Sequence, residues 1–267
     1  MVVGDASGYL RAYEAKTGAP RWSVQLTGAI RGGASSDGKS IFAVSQGGEA
    51  VALTGDAREI WRAMVTRPAW DSSRSDEAAE VYSPPVVTGE DLIIPFARDT
   101  YYDHLPAVLA LDKRTGRLRW RAEGVGQWGN IRSTPALVQG ELVYGEPYSG
   151  DVVGLDVESG RMAFRQEVGP CTFPQWSSPA ATPELVYVPR FAGSVYAVDP
   201  TTGHVQWEIF LGDSRLIENP PSGATKSSKG CSWDAPRHPL YAPAAIAPNG
   251  TLLVGSTEGY LYALVDE

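Results

Sequence analysis

The sequence is poor in the residues that build metal and redox centres. Its 267 residues include two cysteines, Cys171 and Cys231, and three histidines. The cysteines form no CxxC pair, and His238 is the only histidine near either of them, which argues against a structural zinc site. The sequence also lacks a G-x-S-x-G elbow, a P-loop and an H-E-x-x-H motif. No familiar signature of a hydrolase, nucleotide-binding protein or metalloprotease is therefore present.

Positive charge and long apolar runs are also scarce. The chain has 23 Lys and Arg against 31 Asp and Glu, which gives a net charge of −8, and it contains no basic block. This composition lacks the electrostatic footprint of a nucleic-acid binder and disfavours attachment to anionic lipid. No stretch approaches the roughly 18 consecutive apolar residues that span a membrane. We predict neither a nucleic-acid partner nor membrane insertion.

The sequence does contain an internal repeat, which dominates its organisation. Each copy consists of an apolar strand, a turn with glycine, an alternating strand, an Asp-x-x-Thr-Gly turn and a strand that carries Trp. The clearest copy spans residues 185–207. The other copies, of which the third is expanded, the second degraded and the last short, span residues 2–22, 41–61, 92–120, 142–164 and 252–267.

Each part of the repeat has a physical reason. The β-branched and aromatic residues 195–198 are typical of strands buried on both faces in stacked sheets. Asp199 and Gly203 predict a tight turn, in which the Asp accepts backbone N–H groups and the Gly takes the left-handed conformation. A large ring ends each copy except the short last one and is predicted to wedge between neighbouring sheets. These rings are Trp22, Trp61, Trp120, Phe164 and Trp207.

The Ala-Val-Asp-x-Thr-Thr-Gly-x-x-x-Trp pattern of residues 197–207 resembles the PQQ-enzyme repeat. Quinoprotein dehydrogenases, the outer-membrane assembly lipoprotein B family and many exported propellers share this repeat. The resemblance covers nearly the whole chain and implies an all-β fold, a β-propeller of four-stranded antiparallel blades. It also implies an exported protein of the periplasm or cell envelope, although no signal sequence is visible. It does not imply an activity, because fold does not determine function.

The repeats predict a single propeller domain, residues 1–267, with about six blades. Residues 1–26 supply only the second to fourth strands of the first blade, and residues 242–267 only the first to third strands of the last. Either two three-stranded blades join a closed ring of six, or the chain is a piece of a longer propeller. Unpaired edges of incomplete blades invite pairing between chains, so a homodimer is also predicted.

The long loops are expected at one end of the blades. Loops that join strands one to two and three to four are short, whereas the others contain every expansion in the chain. The expanded segments are 66–82, 97–106, 122–134, 168–178 and 212–241. Loops of this length are seldom mere connectors, and a rigid scaffold with variable loops at one end is typical of binding or catalysis. We call this end of the blades the long-loop end.

Aromatic residues collect in these loops. Trp70, Trp128, Trp176 and Trp233 each fall in a different blade-to-blade loop. Such rings either pack on one another as a lid over the channel mouth or bind a protein or glycan. The predicted ligand or partner face comprises Trp70, Tyr82, Tyr101, Tyr102, Trp128, Arg132, Phe173, Trp176, Trp233 and Tyr241.

The leading hypothesis is a non-catalytic exported module that scaffolds or binds a protein or glycan at this face; the sensor domain of a larger receptor is a second form of it. The alternative is an enzyme that acts on a small molecule or sugar at the channel mouth. A lyase-like site needs groups that neutralise a uronate and move a proton. Its candidates are His104, Arg132, Arg237, His238 and Tyr241.

The resemblance also bears on cofactors and on the cysteines. Quinoprotein dehydrogenases carry two adjacent cysteines and a calcium ion held by carboxylate and amide groups. Here the cysteines are sixty residues apart and no equivalent acidic cluster is visible, which argues against PQQ and calcium. Cys171 and Cys231 fall in consecutive blade-to-blade loops, so they form either a disulfide, which suits an exported protein, or two free thiols.

Overall fold

The computed structural model describes residues 1–65, 81–96, 108–122, 131–146, 150–168, 177–190, 193–211 and 240–265. The chain divides into two compact units, residues 1–123 and 124–267. Within the described ranges all regular secondary structure is β, arranged in six antiparallel sheets without a helix. This confirms the predicted all-β class, while a single domain over residues 1–267 stays a prediction.

The first unit contains sheets 1 to 3, whose strands pair in chain order. Sheet 1 has three strands (β1–β3), and sheets 2 and 3 have four each (β4–β7 and β8–β11). The strands are β1 Val2–Gly4, β2 Tyr9–Tyr13, β3 Pro20–Gln25, β4 Ala34–Ser36, β5 Ser40–Val44, β6 Glu49–Thr54, β7 Glu59–Met64, β8 Val86–Val87, β9 Asp91–Pro95, β10 Val108–Asp112 and β11 Leu118–Ala122.

The second unit contains sheets 4 to 6 with the same chain-order pairing. Sheets 4 and 5 have four strands each (β12–β15 and β16–β19), and sheet 6 has three (β20–β22). The strands are β12 Ala136–Val138, β13 Glu141–Gly145, β14 Asp151–Asp156, β15 Met162–Glu167, β16 Ala180–Ala181, β17 Val186–Pro189, β18 Ser194–Val198, β19 Val205–Phe210, β20 Ala245–Ile246, β21 Leu252–Gly255 and β22 Leu261–Leu264.

Strand register shows which strands the first sheet contains. Trp22 lies opposite Ala12 in sheet 1, as Trp61 lies opposite Ala52 in sheet 2. Strands β1–β3 therefore correspond to the second, third and fourth strands of a complete sheet. In sheet 6, Leu253 of β21 lies opposite Ala263 of β22, which is the pairing of the second and third strands in a complete sheet. Strands β20–β22 therefore correspond to the first, second and third strands. Both assignments agree with the strand content predicted from the repeats.

The middle strands of the complete sheets form the core. All five residues of β18 are buried, whereas β19 beside it is mostly exposed. A strand that is covered by neighbouring sheets on both sides needs apolar residues at every position, which explains the Val- and Ala-rich sequence there. Apolar clusters join sheets 1 and 2 and sheets 2 and 3 in the first unit. Corresponding clusters join sheets 4 and 5 and sheets 5 and 6 in the second.

The Asp-x-x-Thr-Gly turns have the predicted chemistry. Asp199 Oδ1 accepts hydrogen bonds from the backbone amides of Thr201 and Thr202 at 2.9 and 2.8 Å. Both threonine hydroxyls also donate to this oxygen, at 2.8 and 3.0 Å. Gly203 has a φ of 72°, the left-handed conformation that glycine adopts without steric cost. In the degraded copy Ala57 takes this conformation with a φ of 67°.

Replacing Asp199 by Ala should lower the free energy of unfolding at neutral pH by about 1 kcal/mol, because four donors lose an ionised acceptor. The hydrogen bond from the Thr201 hydroxyl and then the Thr202 amide lower the pKa of Asp199 to about 2. A carboxyl whose pKa falls on folding adds stability above its unfolded pKa and loses it as the pH falls towards the folded pKa. Urea unfolding should therefore show the difference between wild type and Asp199→Ala shrinking from about pH 4 to pH 2. A constant difference would contradict this assignment.

At most of the described positions the aromatic ring of the repeat packs between two sheets, as predicted. The Trp61 ring packs on Gly116 of the following sheet, and the Phe164 ring packs on Gly203 in the same way. A Cβ atom at Gly116 would lie 2.6 Å from the Trp61 ring, and one at Gly203 would lie 2.3 Å from the Phe164 ring, so the ring occupies the place of a side chain. Trp22 and Trp61 donate their indole N–H to carbonyls of the following sheet, Gly55 O at 2.9 Å and Lys113 O at 2.8 Å. Trp207 departs from this pattern: it is 37% exposed and packs beside Tyr187 of its own sheet.

Candidate functional site

In four of the six sheets the long-loop end is built on one type of hairpin between the second and third strands. Its first residue donates its backbone N–H to the carbonyl four positions later, with N–O distances of 2.8 to 3.0 Å. The glycine before the third strand has a positive φ in each of them. The hairpins of this type are Asp5–Tyr9, Ser45–Glu49, Arg190–Ser194 and Ser256–Tyr260. Tight hairpins of this kind give the long-loop end a rigid base.

A second recurring feature lies directly before the first strand of sheets 2, 3, 4 and 6. A buried aliphatic residue is followed by a cationic or aromatic residue that is exposed or half-buried. The aliphatic residues are Ile30 and Val81 in the first unit and Ile131 and Leu240 in the second. The residues that follow them are Arg31 and Tyr82 in the first unit and Arg132 and Tyr241 in the second. We call this position the entry position.

In the first unit the two entry residues interact. The Arg31 guanidinium carbon lies 5.9 Å from the centroid of the Tyr82 ring, within cation–π range. Arg31 Nε also donates to Gln46 Oε1 at 3.0 Å, so the side chain is held from two sides. Sequence reasoning identified Tyr82 but missed Arg31, because it searched the loops for aromatic residues. The repeat alignment could have found Arg31, since it occupies the same position as Arg132.

An ion pair supports the hairpin of sheet 2. Arg62 Nη1 lies 2.5 Å from Glu49 Oε1, and the Thr27 amide donates to Glu49 Oε2 at 2.7 Å. Burial acts to raise the pKa of Glu49, but the hydrogen bonds from Arg62 and Thr27 outweigh it and lower this pKa. The third strand of the sheet thus begins with an ionised, fully engaged carboxylate.

The second unit has a larger buried network at the same end. Arg165 of β15 places Nη2 3.0 Å from Glu146 Oε2 and Nε 3.6 Å from Asp151 Oδ2. Arg190 of the next sheet donates from Nη1 to the carbonyls of Glu146 and Asp151 at 3.3 and 3.4 Å. Arg190 is fully buried, and burial lowers its pKa to about 10. The guanidinium therefore joins the hairpins of sheets 4 and 5.

In sheet 5 an acidic residue occupies the position that Arg165 has in sheet 4. Glu208 on β19 corresponds to Arg165 on β15, because each follows the wedge ring by one residue. Ser194 Oγ and Tyr196 Oη both donate to Glu208 Oε1 at 2.8 Å. Burial and then the bond to Glu208 raise the pKa of Tyr196. No sequence motif marks this network, since the hairpin position is Asp5, Ser45, Glu146, Arg190 or Ser256 in different repeats.

These groups suit binding rather than proton transfer. Glu49 and Glu146 are paired with Arg62 and Arg165, so these carboxylates hold the hairpins in place. The entry residues add exposed or half-buried cations and rings. Within the described residues no group of three or more His, Cys, Asp and Glu side chains could hold a metal ion.

Three predicted face residues lie in the described ranges, and each occupies the entry position: Tyr82, Arg132 and Tyr241. Burial raises the pKa of Tyr241. The remaining predicted residues lie outside the described ranges, so their convergence stays a prediction. They are Trp70, Tyr101, Tyr102, Trp128, Phe173, Trp176 and Trp233 for the face, His104, Arg237 and His238 for the enzyme site, and Cys171 with Cys231 for the disulfide.

With this geometry established, comparison with known proteins is decisive for the family. The family profile described as outer membrane protein assembly factor BamB matches residues 6–171 and 102–220. The chain belongs to this family. The resemblance read from the repeat is thereby confirmed.

Curated BamB proteins are distant relatives of the chain. Outer membrane protein assembly factor BamB of Yersinia pestis is 24% identical over 98% of this chain and 70% of its own length. The protein of the same name from Moranella endobia is 24% identical over 82% of this chain and 58% of its own length. The chain thus spans about six to seven tenths of these relatives.

Solved structures identify the fold. The crystal structure of BamB from Moraxella catarrhalis matches with a TM-score of 0.62 at 21% identity, over 98% of this chain and 80% of that one. Quinohemoprotein alcohol dehydrogenase from Comamonas testosteroni matches with a TM-score of 0.64 at 13% identity, over 95% of this chain and 49% of that one. The fold is a β-propeller of four-stranded antiparallel blades, in which the six sheets are the blades and the first and last are incomplete.

BamB membership also bears on location and cofactors. The outer-membrane role in the family's name agrees with the exported, cell-envelope location that the resemblance implies. In the described part of the chain no helix is long and apolar enough to span a membrane. The similarity to a quinoprotein is one of fold alone, and the expectation that PQQ and calcium are absent stays a prediction.

Proposed function

We propose that this BamB-family chain is a non-catalytic scaffold of the cell envelope that binds other proteins at its long-loop end, in support of outer-membrane protein assembly. The observation that carries the proposal is the entry position, where Arg31, Tyr82, Arg132 and Tyr241 recur at equivalent places in the blades. Arginine and aromatic residues are enriched in protein interfaces and dominate their binding energy.

The engaged ion pairs below the entry residues support this proposal. Glu49 with Arg62, and Glu146 with Arg165, fasten the hairpins on which the long-loop end is built. A rigid base lowers the entropy that a surface loses on binding. We propose that Trp70, Trp128, Trp176 and Trp233 extend the same surface, with the predicted domain of residues 1–267 acting as one unit.

Binding of an unfolded outer-membrane β-barrel polypeptide tests the proposal directly. We expect a dye-labelled polypeptide, diluted from urea, to bind the full chain in fluorescence anisotropy. Arg132→Glu and Tyr241→Ala should each weaken binding by about tenfold, which corresponds to 1.4 kcal/mol. The control is His204→Ala, an exposed residue after the short turn of sheet 5, at the opposite end of the blade; it should leave binding unchanged.

Three results would contradict the proposal. They are the absence of polypeptide binding, an equal loss in His204→Ala, and binding of peptidoglycan fragments at the entry residues in place of polypeptide. A turnover of any sugar that depended on Tyr241 would favour the enzyme alternative. Circular dichroism of each variant controls for loss of fold.

A separate part of the proposal concerns self-association. The predicted homodimer would use the incomplete first and last blades and not the entry residues. Unpaired edges and uncovered end blades favour association in repeat architectures.

A further inference from the structure

The outer edge of sheet 3 carries a concentration of positive charge. Residues 113–121 form most of the Thr-Gly turn and of the outermost strand β11, and they contain one Lys and four Arg but neither Asp nor Glu. Without these five of its 23 Lys and Arg, the chain retains 18 cationic residues against 31 Asp and Glu. The cations alternate with other residues, so they form no block in the sequence. The turn and the strand bring them together at one edge of an otherwise acidic protein.

The outer strands of the other sheets do not share this concentration. Strands β3, β7 and β15 contain a single Arg each, and β19 contains neither Lys nor Arg. In β7 and β15 the single residue is Arg62 or Arg165, and each is paired with a carboxylate of its own sheet. In sheet 3, by contrast, Arg117, Arg119 and Arg121 alternate along the edge. The repeat therefore does not require a cluster of arginines at this place.

Two of the five cations in sheet 3 are held by carboxylates of the first unit. Lys113 Nζ lies 3.3 Å from Asp37 Oδ2 in sheet 2. Arg119 Nη1 lies 3.2 Å from Asp91 Oδ1 in sheet 3 itself. These two residues have a structural use, since they fasten the turn and the outer strand to their neighbours.

The other three arginines are open to a partner. The Arg114 side chain is 74% exposed and comes no closer than 3.7 Å to Asp112. Arg117 and Arg121 are exposed, and among the described residues neither has an ion-pair partner. Arg121 lies opposite Leu109 of β10, and the Arg117 carbonyl accepts the Asp112 amide. Because Leu109 and Asp112 lie on opposite faces of β10, the two arginines flank the outer edge on both faces.

Strand β11 also presents an unpaired backbone edge. The strand order of sheet 3 is β11-β10-β9-β8, so among the described strands β11 pairs with β10 alone. The N–H and C=O groups that point away from β10 are a template for one further strand. Charged side chains at such an edge repel neutral and like-charged strands. For an acidic strand the same charges are attractive, because its side chains would lie on both faces beside Arg117 and Arg121.

We infer that the outer edge of sheet 3 binds an extended acidic segment of another protein, which adds to β11 as a fifth strand. Backbone hydrogen bonds to the edge provide affinity, and carboxylates next to Arg117 and Arg121 provide selectivity. The net charge of −8 disfavours contact of such a segment with the rest of the surface. An anionic lipid headgroup can pair with the arginines, but it cannot continue the ladder of backbone hydrogen bonds.

This surface is distinct from the one in the proposed function. It follows the outer edge of one blade and uses no entry residue. The inference therefore adds a second binding surface, specific for acidic segments, to the proposed scaffold.

A synthetic peptide tests the inference on the full chain. The probe is a fluorescein-labelled peptide of alternating Glu and Val, about eight residues long, which is within the usual length of a strand. Fluorescence anisotropy should show binding that weakens as salt is added. Arg117→Gln/Arg121→Gln should lower the affinity by at least about tenfold. The control Arg21→Gln/Arg58→Gln removes the same charge from exposed positions of sheets 1 and 2 and should bind like wild type.

Three further probes separate strand addition from a general attraction between charges. A Glu-Val peptide with N-methyl groups throughout its backbone keeps its carboxylates but loses its N–H donors, so it should bind at least about tenfold more weakly. A peptide of alternating Lys and Val should not bind. Vesicles of phosphatidylglycerol should show no binding that depends on Arg117 and Arg121.

Each result bears on the inference. Loss of affinity in Arg117→Gln/Arg121→Gln alone, together with weak binding of the methylated peptide, supports it. The absence of Glu-Val peptide binding, equal binding of the methylated or the Lys-Val peptide, or an equal loss in the control variant overturns it. Vesicle binding that depends on these arginines also overturns it, because lipid is then the ligand. Polypeptide binding at the entry residues is measured with other variants, so failure of this inference leaves the proposed scaffold function intact.

Discussion

Trp61→Ala should lower the free energy of unfolding by about 3 to 5 kcal/mol, the usual range for removal of a buried Trp. The Trp61 side chain is 8% exposed, and its ring lies 6.3 Å from the Phe42 ring between centroids. Its indole N–H donates to the Lys113 carbonyl in the following blade at 2.8 Å. The substitution therefore opens a cavity between two blades and leaves a carbonyl without its donor. Urea unfolding followed by circular dichroism measures the effect.

Trp207→Ala provides a matched control at the same position of the repeat. Trp207 is 37% exposed, and its ring lies 5.8 Å from the Tyr187 ring of the same blade. Since less apolar surface leaves the interior, we expect a loss of about 1 to 2 kcal/mol. Equal losses for the two variants would show that the wedge between blades contributes no more than the local strand contact.

Glu146→Leu should lower the free energy of unfolding by about 3 to 5 kcal/mol, because it removes the buried partner of an ion pair. The Glu146 side chain is 3% exposed and pairs with Arg165 at 3.0 Å. The buried Arg190 guanidinium lies against the same hairpin through the Glu146 carbonyl. The Arg165 side chain can turn partly towards solvent and towards Asp151. The Arg190 side chain is fully buried and cannot reach solvent in this way. Thermal and urea unfolding both measure the loss.

Glu59→Leu is the exposed counterpart. Glu59 pairs with Arg62 at the same 3.0 Å, but its side chain is 48% exposed. Exposed ion pairs contribute little, so we expect a change below about 1 kcal/mol. The double variant Glu146→Leu/Arg165→Leu should recover part of the loss of Glu146→Leu, because one uncompensated charge leaves with its partner. A double variant that is less stable than the single one would contradict this account.

The hairpins that support the proposed binding surface are the same ones that these stability variants change. Glu146 and Arg190 stand at the long-loop end of their blades, where each begins the hairpin between the second and third strands. A variant that loosens this base should weaken polypeptide binding even though it touches no ligand. Glu146→Gln keeps the shape of the side chain while it removes the charge, so it separates loss of the ion pair from loss of volume.

The repeat determined most of the fold by itself. The repeat consists of local features, namely the Asp and Gly of each turn, the apolar middle strand and the terminal ring. Each of these features predicts one element of structure. Asp199 and Gly203 form the predicted turn, and the strand content of the incomplete first and last blades follows from counting repeats. The entry residues Tyr82, Arg132 and Tyr241 were also accessible, because they stand at fixed distances from the strands.

The charged network and the burial of individual rings were decided only by tertiary structure. The hairpin position varies in type from Asp5 to Arg190, so no pattern predicts that strand register brings Arg165 to Glu146. Trp207 occupies the same repeat position as Trp61, and its exposure depends on what the following blade provides. Local sequence sets the conformation of each strand and turn, whereas burial of a charge or a ring depends on surfaces that meet across distant residues.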